Sequence, residues 1–129
     1  MKRLLLVFMA SLSFGASIKW APSLNQAISE ANKTNKGIMV FIEAENCPYC
    51  EKMKKEVLSK PYMAHALEKF VSVKLDIANK DAKKNFPGTY VTPTIYFVTP
   101  KMKILDQITG AVDEEFFFWH VDAAEQALK

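Results

Sequence analysis

The chain has 129 residues, half of them hydrophobic and 24% charged, with a formal net charge of +3. That length allows one domain with a real core, and the composition excludes a disordered or fibrous chain. Without Lys2 and Arg3 the balance falls to +1, 15 lysines against 14 acids, and no basic patch with interleaved aromatics remains to point to nucleic acid.

The first segment reads as an export signal. Lys2 and Arg3 form a basic start, Leu4–Leu12 an apolar run and Ser13–Ser17 a small-residue stretch. The apolar run is shorter than the roughly 20 residues of a membrane span. Cleavage after Gly15 or Ser17 leaves small residues at both recognition positions, whereas cleavage after Ala16 sets Phe14 at one of them. Residues 1–17 are therefore read as a signal peptide and 18–129 as one mature domain. No cysteine lies near the cut to carry a lipid anchor.

Pro22 and Ser23 open the first predicted helix. Ser23 and Gln26 stand at capping-box spacing, Leu24, Ala27, Ile28 and Ala31 form an apolar stripe, and Gly37 is read as the C-terminal cap. Ile38–Ala44 is a nearly unbroken apolar run, the pattern of a central strand covered on both faces. Cys47-Pro48-Tyr49-Cys50 follows, with Pro48 suited to a first helical position and Cys50, Met53 and Val57 on the inner face. Ser59-Lys60-Pro61 interrupts this helix, and Met63, Ala66, Leu67 and Phe70 carry a helical stripe beyond it. The lysines of Lys52–Lys55 and Lys83-Lys84 read as solvated helix faces.

Val71, Val73, Leu75 and Ile77 alternate with Ser72, Lys74 and Asp76, which predicts a strand. A short helix over Lys80–Phe86 stops at Pro87-Gly88. Thr94–Val98 and Ile104–Ile108 form a hairpin around Thr99-Pro100-Lys101-Met102. After Gly110, Asp113 caps a last helix with Phe117, Val121, Ala124 and Leu128 on one face. The order α-β-α-(α)-β-α-β-β-α holds one β-α-β crossover, then a hairpin and a helix. The fold class is α/β, a central mixed sheet with helices on both faces.

Cys47 and Cys50 are the only cysteines. A helix opening at this point sets the Cys47 sulfur beside unpaired backbone N–H groups, which stabilises a thiolate. As a structural staple the pair is poor: closing so short a loop is worth only about 2 kcal/mol, against about 3 for a 15-residue loop. A C-x-x-C pair between a strand and a helix reads instead as a dithiol/disulfide redox site.

This order, with Cys47-Pro48-Tyr49-Cys50 after the first core strand and Val91-Thr92-Pro93-Thr94 before the hairpin, resembles the thioredoxin superfamily from Ile38 to Leu128. Within it, the chain is most similar to exported single-domain bacterial thioredoxin-like proteins, including the type associated with sulfur oxidation. The resemblance implies a thioredoxin-like fold, a periplasmic location and a thiol-disulfide oxidoreductase that reduces protein disulfides. It makes Cys47 the exposed nucleophile and Cys50 the buried resolving thiol of a redox-active disulfide. It makes Pro93 a cis proline that leaves the Thr92 backbone free for an extended substrate, with Pro48 and Tyr49 beside it. The implied partners are protein disulfides and an upstream thiol donor such as a membrane electron-transfer protein, with no cofactor, no metal and a monomeric protein.

The chain also departs from thioredoxins proper. Asn46 stands where they have the tryptophan before the first cysteine, and Phe41 where they have a buried aspartate. Glu43 and Glu45 lie nearby, but strand alternation assigns neither as a buried proton acceptor. The Pro-Tyr dipeptide is that of glutaredoxins, and Gly110-Ala111-Val112-Asp113 is faintly similar to their glutathione-binding turn; export and the additional N-terminal helix weigh against that group. Three alternatives stay open: a disulfide-donating oxidant or isomerase, a module binding metal through Cys47, Cys50, His65 and His120, and a chaperone or scaffold with an inert disulfide.

Overall fold

Among the described residues, five strands form one sheet in the order β1-β3-β2-β4-β5. β1 (Trp20–Ala21), β3 (Phe70–Asp76) and β2 (Gly37–Glu43) run parallel, while β4 (Thr94–Val98) is antiparallel to β2 and β5 (Ile104–Thr109) antiparallel to β4. The structure, a computed structural model, describes residues 17–129, so the segment read as an export signal lies outside the described residues apart from Ser17.

Strand alternation sorts the apolar side chains into two layers. Ile38, Val40 and Ile42 of β2 join Val71, Val73 and Leu75 of β3 on one face, covered by α1 (Leu24–Thr34) and α4 (Lys80–Asn85). Met39 and Phe41 point the other way, into a layer with Phe97 and Phe117. That face is covered by α2 (Pro48–Met53), a π-helical turn (Lys54–Leu58), α3 (Met63–Ala66) and α5 (Glu114–Leu128). Phe41, Phe97 and Phe117 are fully buried, and each ring contributes roughly 1.5–3 kcal/mol through removal of apolar surface from water.

Local chemistry sets the ends of these elements. Gln26 N–H donates to Ser23 Oγ at 3.2 Å and Phe116 N–H to Asp113 Oδ1 at 2.9 Å, so both predicted N-caps are made. The interruption at Ser59-Lys60-Pro61 falls where expected, between the π-helical turn and α3. The extra residue of that turn lets consecutive residues, Val57 and Leu58, both reach the core.

Four expectations are corrected. β1 is an additional element; two residues are too few to show a period, and they pair with Ser72 and Val73 of β3. Gly37 is not the cap of α1: Asn35, at φ 55°, fills that role. Gly37 opens β2, where a Cβ would come within 2.8 Å of the Phe70 ring. Phe70 is the first residue of β3 rather than a continuation of the α3 stripe, and its ring packs edge-on against Phe97 at 5.1 Å. Ala44, finally, falls outside β2, which ends at Glu43.

Candidate active site

The site forms where β2 ends and α2 begins. Asn46, in the left-handed region at φ 53°, turns the chain, and Cys47 becomes the N-cap of α2 with Pro48 in the first turn. Cys47 and Cys50 are joined in a disulfide, with Cα atoms 5.2 Å apart. The two sulfurs live in different surroundings. Cys50 is 1% exposed, packed in the layer of Met39, Phe41 and Met53. Cys47 is half-buried at the rim, beside the exposed Pro48 and Tyr49.

Polar groups converge on the Cys47 sulfur alone. The Cys50 N–H donates to it at 3.2 Å, and the Thr92 hydroxyl donates to it at 3.4 Å. The Thr92 carbonyl lies 3.6 Å away and can accept from Cys47 only when the thiol is reduced. Donors aimed at one sulfur favour its thiolate over the other's.

The Thr92–Pro93 peptide bond is cis. Pro93 is buried, and its carbonyl accepts from Gly110 N–H at 2.8 Å, which ties the loop to the end of β5. The Thr94 hydroxyl donates to Val91 O at 2.7 Å. Tyr90 and Val91 stand exposed just before Thr92. The structure thus brings Cys47, Cys50, Thr92 and Pro93 together, with Pro48 and Tyr49 on the surface next to them. The Thr-Pro dipeptide marks Thr92 through its backbone; the approach of its hydroxyl to Cys47 is visible only in the fold.

The acidic neighbours separate as well. Phe41 is fully buried, so the place of the family's buried aspartate is apolar. Glu45 is exposed. Glu43 lies on the Phe41 side of β2, with Lys54 Nζ 2.9 Å from its Oε2. That oxygen is closed to solvent, so the Lys54 ammonium is the group that offsets the burial of its charge. Lys54 also meets Glu51 at 2.8 Å. The Glu51 carboxylate first, and Glu43 second, raise the Lys54 pKa above its ordinary 10.5.

The histidines of the metal reading lie elsewhere. His65 faces Glu68 at 3.3 Å, and His120 faces Asp106 at 2.7 Å. Among the described residues no three His, Cys, Asp or Glu side chains are grouped to hold an ion.

Residues 19–100 match the family described as Thioredoxin-like. The chain is 31% identical over 102 residues to anterior gradient protein 3 of Xenopus tropicalis, a match covering 78% of this chain and 61% of that protein. Its fold superposes on a thioredoxin from Thermus thermophilus with a TM-score of 0.72 and 26% identity, covering 83% and 86% of the two chains. It also superposes on the periplasmic thioredoxin SoxS from Paracoccus pantotrophus, with a TM-score of 0.62, 13% identity and coverage of 73% and 100%. With a disulfide seated at the head of α2, the chain belongs to the thioredoxin-like family and is a thiol-disulfide oxidoreductase.

Proposed function

We propose that the protein reduces disulfides of other proteins outside the cytoplasm, in a periplasmic setting, with Cys47 as the attacking thiol. The observation that carries the assignment of roles is the asymmetry of the pair: Cys47 reaches the surface with two donors on its sulfur, while Cys50 is buried. The Cys47 thiolate attacks one sulfur of a substrate disulfide. The S–S bond breaks, a mixed disulfide forms, and the other substrate sulfur leaves as a thiolate that takes up a proton. Cys50, deprotonated, then attacks Cys47, freeing the second substrate thiol and closing the Cys47–Cys50 bridge. The two electrons gained by the substrate come from this dithiol. An upstream thiol donor, of the membrane electron-transfer kind, restores it.

The reducing direction is supported by what lies between the cysteines and between β3 and Pro93. Tyr49 brings no positive charge to Cys47, and the stretch from β3 to Pro93 holds only the short α4, with no inserted helical domain of the kind found in strong oxidants. A reduction potential of roughly −200 mV or lower is expected, rather than the roughly −120 mV of a strong oxidant. Equilibration with glutathione buffers, read by thiol trapping, tests this; a value at the oxidant end reverses the direction. Export rests on the Lys2–Ser17 pattern. Mass spectrometry of the native protein checks it, and an intact N-terminus in the cytosolic fraction overturns it.

A further inference from the structure

Helix α5 has two apolar sides. Phe117, Val121 and Ala124 face the core. On the outside, Phe116 and Trp119 remain 46% and 65% exposed, their rings 6.0 Å apart and tilted by 36°. Together with Asp113 and Glu115 they line an open notch of about 170 Å³. Exposed aromatic pairs of this kind mark a contact surface rather than a solvated face.

Charge selects the occupant. From Ile104 to Leu128 the chain carries six carboxylates and no lysine or arginine, whereas 14 lysines lie between Lys19 and Lys103. Some of the acids already have partners: Asp106 meets His120 at 2.7 Å, Glu114 accepts from the Tyr62 hydroxyl, and Glu125 meets Lys69 at 3.6 Å. Asp113, one oxygen of which accepts from Phe116 N–H as the cap of α5, and Glu115 flank the rings, and His120, 5.1 Å from Phe116, is tied to Asp106. An apolar partner alone would leave those carboxylates poorly solvated at the rim. A cation on an aliphatic stem matches both: its stem and plane lie on the rings, and its charge meets ring faces and carboxylates.

We propose that this notch receives a lysine or arginine side chain from a basic segment of a protein partner. The notch opens at the redox end of the molecule. α5 begins just beyond Gly110, whose N–H holds the Pro93 carbonyl, and a groove lined by Lys52, Glu56, Val112 and Asp113 joins α2 to the same aspartate. The partner is therefore one whose disulfide or dithiol reaches Cys47. That role rests on the redox reading; the binding of the cation does not.

The test uses the oxidised protein and a cysteine-free peptide, acetyl-Gly-Leu-Arg-Leu-Gly-amide, beside its counterpart with Glu for Arg. The indole N–H resonance of Trp119 should shift saturably with the Arg peptide while that of Trp20 stays still. The Arg peptide should bind at least about tenfold more tightly than the Glu peptide, weakening with salt. Glu115→Lys, at an exposed position, should abolish that preference. Equal binding of the two peptides, joint movement of both indoles, or no shift at millimolar peptide overturns the proposal. So does a Trp119 shift that follows protein concentration without peptide, which assigns the notch to a second copy of the chain. Insulin reduction separates the two readings: exchange without Arg binding sinks the notch alone, and Arg binding without exchange sinks the redox reading alone.

Discussion

Cys47 and Cys50 are three residues apart and bonded to each other, yet they belong to different parts of the molecule. Cys50 is one more apolar side chain of the layer built by Met39, Phe41, Met53 and Phe117. Cys47 is a rim residue whose sulfur accepts from a backbone N–H and from a hydroxyl 45 positions away in sequence. The difference teaches that a dithiol acquires direction from its surroundings. Burial without donors disfavours the thiolate of one sulfur, and aimed donors favour that of the other.

The largest effect comes from removing each sulfur in turn. Cys47→Ala should abolish disulfide exchange and trap nothing, whereas Cys50→Ala should lose turnover but accumulate mixed disulfides with substrate, visible on a non-reducing gel. Faster alkylation of Cys50 than of Cys47 in the reduced wild-type protein would invert the roles.

Loosening the buried side is next in size. Phe117→Ala should cost about 3–5 kcal/mol of stability, since a fully buried ring leaves a cavity that the sheet cannot close. Urea unfolding measures the loss. Cys50 should then alkylate faster while the Cys47 rate holds; equal acceleration of both would mean that burial does not separate them.

Thr92→Val addresses the polar side and keeps the shape of the side chain. Loss of the hydroxyl should raise the Cys47 thiol pKa by about 0.5–1 unit, on the order of 1 kcal/mol. The reduced form is then less favoured, so the potential should fall by about 20 mV. Thr92→Ser should restore both values. An unchanged pH profile of Cys47 alkylation would show that the 3.4 Å contact has no influence on the thiolate.

Smallest is the ion pair one turn beyond Cys50. Glu51 and then Glu43 raise the Lys54 pKa, so the folded state favours its protonated form. That contribution is complete below the ordinary pKa of 10.5 and is lost as pH climbs through the raised value. Because solvent screens the pair, Lys54→Met should cost only about 0.5 kcal/mol at neutral pH, a difference that closes in urea titrations as pH rises through the raised Lys54 pKa.

Much of this arrangement was legible in the chain. Apolar runs and alternation located β2, β3 and the hairpin, because those strands are buried on one or both faces and the pattern follows burial. Capping chemistry placed the starts of α1 and α5, and the cysteine spacing marked the site. What could not be read depends on contacts distant in sequence or on too few residues. β1 has no period to display. Gly37 is glycine because the Phe70 ring lies across it, which only the β2–β3 register reveals. Thr92 and Cys47 meet through two turns on different strands, and a hydroxyl in a turn carries no mark of what it faces. Phe116 and Trp119 look like further core positions until the helix is docked and its outer side is seen to hold them.

The two residues of β1 bear on the protein's behaviour at high concentration. They lie against the outer margin of β3, a seven-residue run, Phe70–Asp76, with few charges and strong strand propensity. Left bare, such a margin is a ready template for another molecule's backbone. Trp20 also lies under the Lys74 ammonium at 4.9 Å and 6.3 Å from the Phe41 ring, which anchors the guard at one point. A chain beginning at Pro22 would keep its disulfide and both cores but expose that ladder, and should self-associate long before it loses its chemistry.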